Sequence, residues 1–262
     1  MQESAAIVIP ARMASIRFPN KPLALIKGKT MIQRVWEIAQ AVPRANEVII
    51  ATDDNVLRRF AENFGAQVMM TSSDCLTGTD RVAEISRALG HKHHIYFSFQ
   101  GDAVLTPPWV IGSLLHAMLS DATIQIATPA VHLTGQALTE FLESKRGGNA
   151  SGTTVTFDRQ GRALYFSKVV IPYNRDENDS NRLVYRHIGL YAYRAPILEQ
   201  LSLLPEGLFE KSEKLEQLRA LENGIPIQVV PVDYRGRTHG SVDLPEDIDF
   251  VESVIDKEGE LL

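Results

Sequence analysis

The 262-residue chain predicts a doubly wound, three-layer α/β fold, and three observations carry that expectation. Short apolar runs alternate with amphipathic stretches from residue 5 to residue 130, the pattern of parallel strands joined by crossover helices. The apolar runs are short and unbroken, as strands buried on both faces require. Several of them run straight into polar or glycine-containing loops, the place where ligands of open α/β sheets bind.

Each element has a local cause. Residues 5–10 form an apolar run closed by Pro10, a buried parallel strand. Within 30–41, Met31, Ile32, Val35, Trp36, Ile38 and Ala39 recur at helical spacing, and Pro43 ends the segment. Residues 47–51 are the second strand, 56–64 an amphipathic helix ended by Gly65, and 67–70 a short strand. A loop over 71–80 leads to a helix reaching about residue 89, with Thr79 or Asp80 as its cap. Strand 94–99 runs into Gln100-Gly-Asp102; Pro107 and Pro108 open a helix to about 119, and 124–130 return as strand.

After residue 140 the pattern changes. Residues 145–149 read as a turn, and 153–158 and 163–167 as antiparallel strands around Asp158-Arg-Gln-Gly161. A polar loop over 174–181 precedes a strand near 187–193. Segments 194–204 and 214–223 read as helices, the latter stopped by Asn223-Gly224. A strand at 227–232 and a helix over 245–256 with an acidic first turn complete the chain. No internal repeat or linker interrupts it. The expectation is one domain over 1–262 with a β-rich excursion at about 145–193.

Composition narrows the function classes. The chain is 44% hydrophobic and 23% charged with a net charge of −5. That balance argues against nonspecific nucleic-acid binding, which needs clustered positive charge. Cys75 is the only cysteine, so an intrachain disulfide and a Cys-rich zinc site are both excluded. No apolar run approaches the ~20 residues of a membrane span, and Met1-Gln-Glu-Ser lacks a basic signal region. The expected location is cytoplasmic.

Chemistry concentrates in two loops. After the first strand, Arg12, Ser15, Arg17 and Lys21 are separated by small residues including Ala11 and Ala14, a composition suited to polyphosphate oxygens. After the strand at 94–99, Asp102 offers the hard carboxylate that Mg²⁺ on a nucleotide needs, and Gly101 permits close backbone approach. A solvated basic turn and a helix-capping aspartate are the bland alternatives. Cys75 reads as packing. His93 and His94 read as surface turn residues, and no histidine shows metal-ligand spacing.

Several separated blocks recur in one family's order: the loop at 7–23, Ala51-Thr-Asp-Asp54, Thr77-Gly-Thr-Asp-Arg81, Gln100-Gly-Asp102, Ala163-Leu-Tyr-Phe-Ser167, Ile171-Pro-Tyr173, His187-Ile-Gly-Leu-Tyr-Ala-Tyr193, Leu215-Glu-Gln-Leu-Arg219 and Val242-Asp-Leu-Pro-Glu-Asp247. Together they resemble the 3-deoxy-manno-octulosonate (Kdo) cytidylyltransferases, the CMP-Kdo synthetases. The resemblance implies a Rossmann-like, glycosyltransferase-A-type mixed sheet and a homodimer formed through the excursion. It implies CTP and an acidic sugar as substrates, with Mg²⁺ on Asp102 and Asp243. Ala11, Arg12, Ser15, Lys21, Arg81 and Gln100 match the nucleotide side, with Arg12, Lys21 and Asp102 as catalytic residues. Gln100, Lys168, His187, Tyr191, Glu216 and Gln217 match the sugar side.

Each of these has a local alternative. Asp243 could cap the helix after Pro245, His187 could be a satisfied core side chain, and Glu216 and Gln217 could belong to a solvated helix face. The chain also departs from the family. Ala103-Val104 replace the usual Glu-Pro, and Cys75 stands where histidine is common. The stretch 149–153 lacks an expected lysine, and Lys168 replaces an arginine that helps bind the sugar carboxylate, losing its bidentate fork. Two rival readings follow: a cytidylyltransferase for another acidic acceptor (an amino-Kdo, another nonulosonate or a phosphonate), and a weakly catalytic nucleotide-binding regulator.

Overall fold

The computed structural model describes residues 3–14, 17–148, 151–176 and 182–262. Ser15 of the basic loop, Asn149 of the 145–149 turn and residues 177–181 of the polar loop lie outside the described residues. Strand β1 (Ala5–Pro10) is buried at all six positions. Ala5, Ile7 and Ile9 join the core on one face of the sheet, and Ala6 and Val8 the core on the other. Two-sided burial is why the run is apolar throughout.

A 3₁₀ turn at Lys21–Leu23 and a small hairpin, β2 (Leu25–Ile26) and β3 (Lys29–Thr30), lead to α1 (Met31–Gln40). Then follow β4 (Glu47–Thr52), α2 (Asn55–Asn63), β5 (Gln67–Met70) and α3 (Gly78–Ala88). Next come β6 (Ile95–Phe99), α4 (Pro108–Ser120), β7 (Ile126–His132) and α5 (Gly135–Arg146). Strands β8 (Thr154–Phe157), β9 (Ala163–Ser167), β10 (Tyr185–His187) and β11 (Leu190–Arg194) precede α6 (Ala195–Leu203). Helices α7 (Leu208–Glu213) and α8 (Leu218–Glu222), strand β12 (Ile227–Pro231) and α9 (Asp247–Glu258) end the fold.

Among the described residues the main sheet has ten strands in the order β5-β4-β1-β6-β11-β7-β10-β8-β9, with β12 also pairing β7. The run β5-β4-β1-β6 is parallel, and β11 lies antiparallel between β6 and β7. The result is the expected mixed α/β architecture. The strands of the excursion extend the same sheet: β10 pairs antiparallel with β7 and β8.

Four expectations need correction. The helix after the 71–80 loop starts at Gly78, because Thr77 caps it; neither Thr79 nor Asp80 is the cap. Of the expected helix over 214–223 only Leu218–Glu222 (α8) is helical; α7 ends before it, and Lys214 turns the chain between the two in a left-handed conformation. Residues 135–146 form a helix that the sequence reading passed over. His93 is buried at 3% exposure, where its ring bonds to Glu47 at 2.6 Å.

Candidate active site

The carboxyl ends of β1 and β6 and the amino end of α3 enclose a cleft of about 260 Å³. Its walls include Pro10, Ala11, Arg12, Arg17, Lys21, Thr77, Gly78, Arg81, Gln100, Gly101, Asp102 and Asp243. Two glycines keep the elements close. A Cβ on Gly101 would stand 3.2 Å from the Pro10 carbonyl oxygen, and one on Gly78 would stand 3.3 Å from Gln100 Nε2. Both contacts are tight enough that the loop after β6 could not rest against β1 and α3 unchanged.

The carboxylates converge from distant sequence. Lys21 Nζ donates to Asp102 Oδ2 at 2.6 Å and lies 3.9 Å from Asp243 Oδ1. Arg17, a cation of the basic loop outside the expected site, pairs with the same Asp243 oxygen at 3.2 Å. The Val242 amide donates to the Asp102 carbonyl at 3.3 Å, which brings the two loops together. Asp243 is no helix cap: its own amide and that of Leu244 donate to Asp247 Oδ2 at 2.7 and 2.8 Å. Its carboxylate is therefore left to face the cleft.

Two carboxylates sharing one cation form a donor set for a hard divalent ion. Among the described residues no group of three or more His, Cys, Asp or Glu side chains could hold a metal. An ion at Asp102 and Asp243 would need further oxygens from a phosphate or water, which fits a metal delivered with a nucleotide.

Arg81 forms part of the wall and is anchored at the same time. It is 4% exposed, donates to Thr71 Oγ1, and lies 3.5 Å from Asp53 Oδ2. The Thr77 hydroxyl oxygen accepts from the Asp80 amide at 3.1 Å, and the Asp80 carboxylate accepts from the Thr77 amide at 3.0 Å. The T-x-x-D pattern was the signal for this reciprocal cap. Thr77 Oγ1 also donates to Glu216 Oε1 at 3.0 Å. Cys75 lines the cleft as well, donating to Glu84 at 3.0 Å. Burial and then the Glu84 carboxylate push its thiol up to about 12.

Tyr191, Glu216 and Gln217 meet at a smaller cavity of about 30 Å³, joined to the cleft through the Thr77–Glu216 bond. Glu216 precedes α8 and is half-buried, its carboxylate held by the Thr77 hydroxyl, so the solvated-face alternative fails. Burial raises its pKa, opposed by the hydroxyls of Thr79 and Thr77. Gln217 Nε2 is buried and, among the described residues, has no hydrogen-bond partner. Burial also raises the Tyr191 hydroxyl well above its usual range, helped by the charges of Tyr193 and Glu216.

His187 lies beside Tyr191 with ring centroids 5.5 Å apart, and burial lowers it to about 3. Lys168 is not in the cleft. It lines a separate basin with Lys145, Val169, Pro172 and Tyr173. Ala103 and Val104, the departures beside Asp102, pack into the apolar core.

Comparison with known proteins agrees with this geometry. A family model described as "Cytidylyltransferase" matches residues 6–228. A 3-deoxy-manno-octulosonate cytidylyltransferase of Maricaulis maris is 49% identical over 259 residues, spanning 99% of this chain and 100% of its own. One from Myxococcus xanthus is 41% identical, spanning 96% of each chain. A solved CMP:2-keto-3-deoxy-manno-octonic acid synthetase complexed with CTP superposes with a TM-score of 0.86 at 35% identity, covering 98% of this chain and all of its own. A 4-diphosphocytidyl-2C-methyl-D-erythritol synthase from Anaerococcus prevotii shares the fold alone, at 13% identity and a TM-score of 0.62 over 97% of this chain and 96% of its own. With a cytidylyltransferase match across most of its length and relatives of this identity end to end, the chain belongs to the 3-deoxy-manno-octulosonate cytidylyltransferase family.

Proposed function

We propose that the protein activates Kdo, or a close 2-keto-3-deoxy sugar acid, with CTP to give the CMP-sugar and pyrophosphate. The observation that carries this reading is the convergence of Asp102 and Asp243 on the Lys21 ammonium at the mouth of the cleft. The family relatives and the CTP-bound neighbour support the choice of substrates.

The sugar's anomeric hydroxyl attacks the α-phosphorus of CTP in line. Its oxygen forms the new P–O bond, the hydroxyl proton passes to solvent water, and the bond to the bridging oxygen breaks with its electron pair leaving on pyrophosphate. Arg12 and Lys21 pair with the phosphate oxygens as charge accumulates there. Asp102 and Asp243 would hold Mg²⁺, which neutralises phosphate charge when bound. Ala11, Ser15 and Gln100 complete the nucleotide side, and Arg81 braces the wall against which the cytosine rests. The buried Gln217 Nε2, unpaired among the described residues, supports Tyr191, Glu216, Gln217 and His187 as the acceptor side, since a buried polar group calls for a partner. Little covalent chemistry is asked of the protein, so positioning and charge supply the catalysis.

The reading extends to a single domain with a homodimer formed through residues 145–193, where Leu164, Val169, Tyr173 and Leu183 expose large apolar side chains. Lys168 would serve the sugar carboxylate only from that face. A cytoplasmic setting is part of the same proposal; among the described residues no helix is long and apolar enough to cross a membrane.

The test is pyrophosphate release from CTP across a panel of sugar acids. Kdo or a near derivative should give the highest kcat/KM, with CTP well ahead of ATP and GTP. No release with any Kdo-like acid, or equal turnover of all four triphosphates, overturns the reading.

A further inference from the structure

The acceptor side contains a histidine whose proton position the fold dictates. His187 Nε2 lies 2.9 Å from Thr128 Oγ1, and that hydroxyl lies 2.8 Å from the Leu190 carbonyl oxygen and 3.4 Å from that of Ile188. A threonine hydroxyl has one proton to give. If it pointed at the ring, the Thr128 and Leu190 oxygens would face each other at 2.8 Å with no proton between them. The proton therefore goes to Leu190, and Thr128 accepts from His187 Nε2–H.

The other ring nitrogen is left as an acceptor. Among the described residues, Nδ1 of His187 makes no hydrogen bond. The ring is wedged edge-to-face against Phe166, 5.0 Å between centroids, and tilted against Tyr191. Its amide donates to the Thr153 carbonyl at 2.8 Å, so backbone and ring are both held. Thr128 is fully buried in β7, paired on one side with Val229 of β12, and cannot itself reach a ligand.

We propose that Thr128 is a positioning residue that fixes His187 as the neutral Nε2–H tautomer, so that Nδ1 accepts a hydrogen bond from a hydroxyl of the sugar acid. The proposal rests on the placement of His187 at the acceptor side. It also gives that site a polarity: His187 reads a hydroxyl donor, while the acid's negative oxygens must be met elsewhere. Burial keeps the ring neutral far below neutral pH, consistent with this role.

Two measurements decide it. Long-range ¹H–¹⁵N spectra of the whole protein, with the His187 ring identified from its absence in His187→Gln, report the tautomer directly. A protonated Nε2 and bare Nδ1 from pH 6 to 9 is expected; a protonated Nδ1 overturns the proposal. This readout needs no Thr128 variant to fold and no turnover. In kinetics, Thr128→Val keeps the shape and removes the hydroxyl. KM for the sugar acid should rise about tenfold, the scale of one misdirected hydrogen bond, with KM for CTP unchanged and Thr128→Ser restoring the wild-type value. An unchanged KM for the sugar acid, or equal losses for both substrates, overturns it. A wild-type protein that turns over no sugar acid removes the proposed function instead, and the spectra still report the tautomer.

Discussion

Asp102 and Lys21 lie 81 residues apart in sequence and 2.6 Å apart in the cleft, so changing either alters the electrostatics of both. Asp102→Asn keeps the shape and removes the charge that would hold a divalent ion. Turnover should fall at least a hundredfold, about 3 kcal/mol or more, while Tm shifts by no more than a few degrees. Undiminished pyrophosphate release, or wild-type activity surviving exhaustive chelation, would defeat the metal assignment. Arg12→Ala should cost about 2–4 kcal/mol in kcat/KM, the scale of one lost donor to a developing oxyanion. Cys75 gives a contrasting expectation. With its thiol pushed up to about 12 it has almost no thiolate near neutrality, so iodoacetamide at pH 8 should leave it unmodified in the folded protein, as intact-mass spectrometry would report.

At the scale of elements, the amino end of α3 links the cleft to the smaller cavity proposed as the acceptor side. Thr77 caps the helix and holds Glu216 with one hydroxyl. Thr77→Ala should destabilise the fold by about 1–2 kcal/mol, measured by urea unfolding, and should raise KM for the sugar acid because Glu216 loses its partner. The approach of β6 to β1 is equally specific. Gly101→Ala would press a methyl group against the Pro10 carbonyl, with an expected cost of about 1–3 kcal/mol and a weaker affinity for CTP; unaltered unfolding and CTP binding would show that the loop can yield. The small hairpin β2–β3 left no signal and β10 and β11 read as one strand, but the other strands and α1 to α4 were legible because burial of one face or both imposes a period on the residues. Helix α5 was not, since Leu138 and Phe141 are its only buried apolar positions and Gly135 opens it at a positive φ. Helix α7 escaped for a similar reason: six residues make less than two turns of pattern.

The whole molecule should lose stability in acid for two traceable reasons. Burial alone would raise Glu47, but hydrogen bonds from His93, Gln67 and Lys92 outweigh it and hold the carboxyl at about 2. A carboxyl depressed in the folded state stabilises the fold above its unfolded value near 4.5, and that contribution is lost as pH falls from there toward 2. Allowing for solvent screening, it amounts to about 1–3 kcal/mol. His187 acts in the same direction over a higher window. Its ring is buried neutral, so the unfolded chain takes up the proton first and stability declines as pH falls from about 6.5 toward 3. Urea midpoints should therefore decrease from pH 7 to pH 3.5, and Glu47→Gln should flatten the fall below pH 4.5. A midpoint independent of pH over that range would contradict both assignments.

The sequence by itself determined the layered α/β order, the basic loop after β1, the Asp102 turn after β6 and the family, because each is written in local pattern: two-sided burial, clustered charge, or a motif following a strand. Tertiary structure decided what those residues face. It turned Asp243 from a possible cap into a cleft carboxylate by giving its amide to Asp247. It sank His93 against Glu47, 46 residues away, and drew Glu216 off a presumed solvent face to Thr77, 139 residues away. It also left Lys168 in a different basin from the cleft of Asp102 and Asp243. The physical reason is common to all of these. Burial of an apolar face repeats every two or three to four residues and marks the chain, whereas the partner of a polar group is a single contact between distant positions that only the folded topology brings within hydrogen-bond reach.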